Sequence, residues 1–192
     1  MSAKAPDRPS ARERLLASAT ELFYCEGIHT VGIDRVIEHA DVSKASLYKI
    51  FGSKDELIRA YLEARHARWR ERLTGEIDAR WDDPAERLLG VFDVLGESFA
   101  DPDFRGCAFM NASAEARPGS PVVEASDAAR AWKRGLFADL AAAAGAPDPQ
   151  GLAAQLVLLY DGAQIAARMD RDPAAAATAR AAAAVLLDAA RR

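Results

Sequence analysis

The chain has 192 residues, half of them hydrophobic, and a formal net charge of -4. That length suits one domain of moderate size or a small head on a larger body, and the hydrophobic content excludes wholesale disorder. No apolar run approaches the ~20 residues of a membrane span, and the N-terminus lacks the apolar segment of a secretory signal. A cytoplasmic location with no membrane partner is expected.

Charge is unevenly spread. Residues 1–60 carry 9 Lys+Arg against 9 Asp+Glu, and the remaining 132 carry 16 against 20. Any affinity for nucleic acid must therefore come from local placement of charge rather than net charge. Cys25 and Cys107 are far apart, with no Cys or His at metal spacing. They read as two reduced packing residues, with a redox switch as the alternative. No metal and no cofactor are expected.

Helix signals follow one another along the chain, and sustained alternation of the kind that marks strands is absent. Residues 1–9 hold two prolines and scattered charge and read as a flexible tail. Lys4 and Arg8 in it could form a minor-groove arm or have no role. Ser10-Ala-Arg-Glu13 is a capping box opening a first helix that carries Leu15, Ala19, Leu22 and Phe23 and stops at Gly27. A short second helix runs from Ile33 to Ala40, with an apolar stripe of Ile33, Val36, Ile37 and Ala40. Asp41-Val42 forms a turn, and Ser43 caps a third helix ending at Gly52. Ser53-Lys-Asp-Glu56, a second capping box, opens a long fourth helix reaching toward Arg80.

Beyond it, a polar cap followed by proline recurs as a start signal, at Asp83-Pro84, Asp101-Pro102, Ser120-Pro121, Asp148-Pro149 and Asp172-Pro173. The expected fold class is all-α, with about nine helices. An N-terminal three-helix, helix-turn-helix head over residues 10–57 precedes a helical body over 58–192. The alanine runs 141–144, 174–177 and 181–184 fit helix, because alanine is the best helix former.

Two short helices around a tight turn, packed on a third, form the unit that places its second helix in the major groove. That helix reads Ser43-Lys-Ala-Ser-Leu-Tyr-Lys-Ile-Phe51. Helical spacing turns Leu47 and Phe51 inward and leaves Lys44, Ala45, Ser46, Tyr48 and Lys49 outward. Small residues admit close approach to the groove, lysines can meet phosphate or guanine, and a tyrosine hydroxyl can bond a phosphate. Ser53 and Lys54 open a further helix, whose N-terminal amides favour a phosphate.

The run from Gly27 to Leu57, above all Val42-Ser-Lys-Ala-Ser-Leu-Tyr48 and Phe51-Gly-Ser-Lys-Asp-Glu-Leu57, resembles the DNA-binding head of the tetracycline-repressor (TetR) family. Over the rest of the chain the likeness is one of architecture, with weaker echoes at Gly106–Ala112 and Leu159–Ala163. The resemblance implies an all-helical homodimer on two half-sites of a palindromic double-stranded operator. It also implies a body that binds a small-molecule effector and shifts the spacing of the heads. Carried over residue by residue, Ser43, Lys44, Ala45, Ser46, Tyr48 and Lys49 would face DNA, Lys54 would hold a phosphate, and Arg35 is a further phosphate candidate. Three positions depart from the family pattern: Asp41 replaces a turn glycine, Val31-Gly32 replaces a threonine pair, and Ile50 stands where histidine is frequent.

For the effector, helix-lined sites are apolar with a few polar anchors. Phe92, Cys107, Met110, Asn111, Trp132, Tyr160 and Gln164 are the pocket candidates, against an ordinary core role for each. The last two helices carry Leu152, Leu156, Leu159, Ala163, Ala167, Ala183, Leu186 and Leu187. These could pack across a two-fold axis or line the chain's own core. An enzyme is not expected, since no His-Glu-x-x-His, Gly-x-Ser-x-Gly or phosphate-cradling glycine loop occurs. The expected function is a sequence-specific transcriptional repressor released by a small molecule. The alternative is an activator, or a ligand-independent regulator, with the same head.

Overall fold

The structure, a computed structural model, describes residues 9–192. Among the described residues there are nine helices and no strand: α1 Ala11–Glu26, α2 Ile33–Ala40, α3 Lys44–Phe51, α4 Lys54–Arg80, α5 Pro84–Phe99, α6 Ala108–Glu115, α7 Pro121–Ala143, α8 Pro149–Met169 and α9 Ala175–Ala190. The chain forms two compact units. One comprises the described residues through Arg65 together with Met110–Ala125, and the other His66–Phe109 with Ser126–Arg192. The break falls inside the continuous α4, so residues 58–65 pack with the head. Lys4 and Arg8 lie outside the described residues.

In the first unit, α1 starts as its sequence dictates. Ser10 Oγ accepts from the Glu13 amide at 3.2 Å, and the Ser10 amide donates back to the Glu13 carboxylate at 2.7 Å. That bond holds the Glu13 carboxyl below its usual range. The apolar sides of α1, α2 and α3 and the start of α4 bury Leu15, Ala19, Phe23, Val36, Leu47, Leu57 and Tyr61. Phe23 meets Tyr61 edge-on, with centroids 5.8 Å apart, a favoured aromatic geometry.

The turn between α2 and α3 requires a left-handed residue, and Asp41 supplies it at φ 51°, ψ 55°. Aspartate tolerates this region better than most residues. Arg14 on α1 holds the turn from outside: its Nε donates to the Ala40 carbonyl at 3.0 Å and its Nη2 to the Asp41 carbonyl at 3.1 Å. These carbonyls end a helix, where a cation is favourable. Arg14→Ala should therefore lower the unfolding free energy by ~1–2 kcal/mol, the usual worth of charged hydrogen bonds. Urea unfolding measures this, and an unchanged midpoint would refute the tie.

The second unit packs around Phe92, Phe137, Leu88, Leu95, Leu156 and Ala183, each essentially inaccessible to solvent. The rings of Phe92 and Phe137 lie 5.7 Å apart, and that of Tyr160 lies 6.0 Å from Phe137 and 6.4 Å from Phe92. α9 packs on α8 and on α5. Gly90 is required on α5, because a Cβ there would sit 2.5 Å from the Trp81 ring.

Three expectations change in detail. α6 begins at Ala108 rather than Pro102. Asp101 instead closes a turn, its carboxylate accepting from the Asp103 amide at 2.8 Å and its carbonyl from Phe104 at 2.9 Å. Gly106 at φ 84° then breaks the path. The Ser53 cap receives the Glu56 amide at 3.1 Å, while the Glu56 carboxylate pairs with Arg59 at 2.6 Å. Finally, Leu152, Leu156, Ala163, Ala183 and Leu187 are core residues. The large apolar side chains left exposed on α8 and α9 are Leu158, Ile165, Met169 and Val185.

Candidate nucleic-acid interface

α3 is short and held at both ends. The Ser43 hydroxyl accepts from the Ser46 amide at 3.2 Å and lies 2.9 Å from the Ser46 hydroxyl. Gly52 ends the helix at φ 81°, its amide donating to the Tyr48 carbonyl at 2.9 Å. Leu47 is fully buried and fixes the rotation of the helix. That rotation leaves Ser43, Lys44, Ala45, Tyr48, Lys49 and Ile50 exposed, with Ser46 half-buried. Tyr48 and Ile50 stand out as large apolar side chains facing water, 45% and 36% accessible.

The cations expected at DNA differ in their surroundings. Lys44 donates to the Asp34 carboxylate at 2.8 Å, which raises its pKa. Arg35 pairs with Glu26 at 2.5 Å. Lys49 forms no ion pair among the described residues. Lys54 is half-buried, its ammonium 6.0 Å from the centre of the Phe23 ring. Burial pulls its pKa below the ordinary lysine value, and Asp55 and Glu115 oppose that pull.

Sequence reading missed the roles of Asp34 and Glu26 and the contacts of the α6–α7 segment in the same unit. His29 Nε2 lies 2.8 Å from the Glu115 carbonyl, and Arg117 donates to Asp55 at 2.9 Å. These partners are nine to eighty-six residues apart, so no local pattern marks them.

The seven pocket candidates are divided between the two units. Met110 and Asn111 belong to the first unit, and Phe92, Cys107, Trp132, Tyr160 and Gln164 to the second. There, Tyr160 hydrogen-bonds Trp69 and neighbours Cys107, and burial pushes its phenol well above the usual range. Gln164 Oε1 is buried without a partner among the described residues. Phe92 is a core residue. Trp132 faces His66: the ring centroids are 5.2 Å apart, and Phe109 lies 6.1 Å from the same imidazole. His66 Nε2 is buried without a hydrogen-bond partner among the described residues.

Burial, with Arg70 nearby, lowers the pKa of His66. The unfolded chain protonates near pH 6.5, and the folded one at lower pH. His66 therefore leaves stability intact above that value and reduces it as pH falls toward the folded pKa. Between about pH 7.5 and about pH 5.5, the wild-type urea midpoint should fall further than that of His66→Phe. Equal falls would remove His66 from the account.

Cys25 is exposed and Cys107 half-buried, and both are free thiols. Among the described residues, no group of three or more His, Cys, Asp or Glu is placed to hold a metal ion. No helix there is long and apolar enough to cross a membrane.

An exposed α3, the second of the two helices around the turn, on a three-helix head followed by a helical body defines a helix-turn-helix, DNA-binding transcriptional regulator. Residues 15–61 match the family described as bacterial regulatory proteins of the tetR family, and residues 84–183 match the tetracyclin repressor-like C-terminal domain. The chain belongs to the TetR family. It is 36% identical to a TetR-family transcriptional regulator from Streptomyces coelicolor, with a TM-score of 0.87 over 95% of this chain and 96% of that one. The reduced form of NemR from Escherichia coli superposes with a TM-score of 0.81 at 25% identity, over 90% of this chain and 94% of that one. In sequence, the E. coli transcriptional repressor NemR is 30% identical over 105 residues, which is 54% of this chain and 53% of that protein. The transcriptional activator FasR of Mycolicibacterium smegmatis is 44% identical over 59 residues, 31% of this chain and 26% of that protein. The chain thus spans about half the length of NemR and about a quarter of FasR in these matches.

Proposed function

We propose that the protein acts in the cytoplasm as a homodimeric repressor that grips a palindromic operator with α3 of each copy and is released by a small molecule bound in the body. The carrying observation is the exposed set Ser43, Lys44, Ala45, Tyr48 and Lys49 on a helix whose rotation Leu47 fixes. Ser46, Lys54 and Arg35 would supply further contacts, the last two to phosphates. The head would comprise residues 10–57 and the body 58–192. NemR is a transcriptional repressor, and its match of 105 residues is longer than the head.

The exposed Leu158, Ile165, Met169 and Val185 on α8 and α9 support self-association, because a lone subunit would leave this apolar face wet. The effector would meet Tyr160, Cys107, Trp132 and Gln164, where a buried amide oxygen awaits a donor. Coupling of 1–3 kcal/mol between ligand and DNA is typical of such regulators, roughly a 5- to 150-fold change in affinity. No enzymatic reaction is assigned to the chain.

A mobility-shift assay on the DNA upstream of the protein's own gene tests the reading. A salt-sensitive, sequence-selective complex of two chains per site is expected, and absence of any shift at low salt would refute it. Activation is the second reading, favoured by the 44% identity to the activator FasR over 59 residues. A reporter in a deletion strain decides between them by the sign of the change.

A further inference from the structure

The head carries nine cations and nine carboxylates within residues 1–60, and the structure shows how several of them are spent. Arg14 is bound to backbone carbonyls. Arg12 lies 5.7 Å from the centre of the Phe51 ring. Arg59 pairs with Glu56. Lys44, which opens the DNA-facing helix, and Arg35, in the first turn of α2, are each held by a carboxylate, although both cations and Asp34 are largely open to solvent and Glu26 is half-buried. Asp34 lies in the first turn of α2 and is 81% exposed. It needs no partner for solvation and already enjoys the positive end of that helix. Glu26 ends α1, where a carboxylate opposes the helix dipole and Arg35 relieves it. Beside them, an open notch of about 500 Å³ is lined by Asp34, Ile37, Glu38, Asp41, Val42 and Ser43. Three carboxylates therefore stand next to the helix that must approach a polyanion.

Exposed ion pairs contribute little to stability, so stability gives no reason for this arrangement. Their effect on DNA is different in kind. Generic duplex offers a protein only its phosphates, and affinity for it comes from cations that displace condensed counterions. A cation already neutralised within the chain displaces fewer, and its carboxylate repels the same phosphates. An operator also offers base edges, which repay the loss.

We propose that Asp34 and Glu26 are specificity-determining residues that hold Lys44 and Arg35 back from the phosphates of generic duplex, so that Arg35 is given up to a phosphate only on an operator, where base-edge contacts repay the broken pair. The Asp34–Lys44 pair also fixes where the lysine stands as α3 enters the groove, making Asp34 a positioning residue for a base-edge contact. Specificity here comes from a repulsive element as well as an attractive one. The inference rests on the reading that α3 faces the duplex.

The test uses the full-length protein and a fluorescein-labelled duplex of arbitrary sequence, about 30 base pairs long, with anisotropy measured over a sodium chloride series. At about 100 mM salt, Asp34→Asn should bind this generic duplex ~3–10-fold more tightly than wild type, with a salt slope steeper by ~0.9, the value for one further phosphate. Glu26→Gln should behave likewise. Glu38→Gln makes the same charge change on α2 without freeing a cation and should give less than half the gain. In Asp34→Asn/Lys44→Gln the gain should vanish. The inference is overturned if the Asp34→Asn slope is unmoved, if Glu38→Gln matches it, or if the gain persists without Lys44. A wild type that binds no DNA at low salt overturns the DNA-facing reading along with it. A wild type that binds with an unmoved Asp34→Asn slope overturns this inference alone. Matched thermal melts establish that all variants are folded, as expected for such exposed sites.

Discussion

Replacing Ala45 by glutamate should reduce operator affinity roughly 100-fold or more, equivalent to ~2.7 kcal/mol. Ala45 is exposed at the second position of α3, between Lys44 and the cap-bound Ser46. A glutamate there fills the space that brings the helix backbone to the base edges, and it adds a negative charge among phosphates. Two copies on one operator double the penalty. The same substitution should leave folding intact, because a carboxylate in the first turn of a helix suits its dipole by ~0.3–1 kcal/mol. Anisotropy on the operator, paired with a thermal melt, separates the two effects. An Ala45→Glu protein that binds as wild type would show that α3 does not enter the groove.

The double substitution Leu158→Asp/Ile165→Asp should convert a dimer into folded monomers. Leu158 and Ile165 are 69% and 48% exposed within one chain, seven residues apart on one face of α8 with Met169 beyond them. Because these side chains already face solvent, the subunit itself should lose no more than about 0.5 kcal/mol. Across a two-fold interface each aspartate would be buried without a partner, at several kcal/mol apiece. Symmetry presents four such charges at once. Sedimentation equilibrium should give half the wild-type mass, and operator binding should weaken with it. An unchanged mass would place the self-association surface elsewhere or remove it.

What could be read in advance follows the range of the forces involved. Ser10 and Glu13 sit three residues apart, and their reciprocal cap forms as spaced. Asp83 and Asp148 cap α5 and α8, each followed by proline, for the same local reason. Asp41 takes the left-handed turn expected of it. Asp101-Pro102 shows the limit of such signals: the pair that starts a helix also starts a turn, and Gly106, four residues beyond the proline, decides between them. On α8, a helix with apolar residues on two faces leaves the inward face undecided, and Leu156 lies inside while Leu158 lies outside.

The site was legible as a list of residues but not as an electrostatic arrangement. Helical spacing identifies the outward side of α3 once Leu47 is taken as inward. Nothing local reveals that Asp34 meets Lys44, that Arg14 reaches Ala40 across 26 residues, or that Lys54 turns over Phe23. Those contacts exist only after three helices have packed. For the same reason, the candidate pocket residues could be named from composition, yet Met110 and Asn111 fall in a different unit from Tyr160.

The greasy outer face of α8 and α9 bears on gene dosage. If a second copy closes it, and if the cell holds the protein below the concentration at which copies pair, the paired form scales with the square of expression. Halving transcription of the regulator would then quarter the species able to occupy an operator. Target genes would respond to the regulator's own abundance as a threshold rather than in proportion.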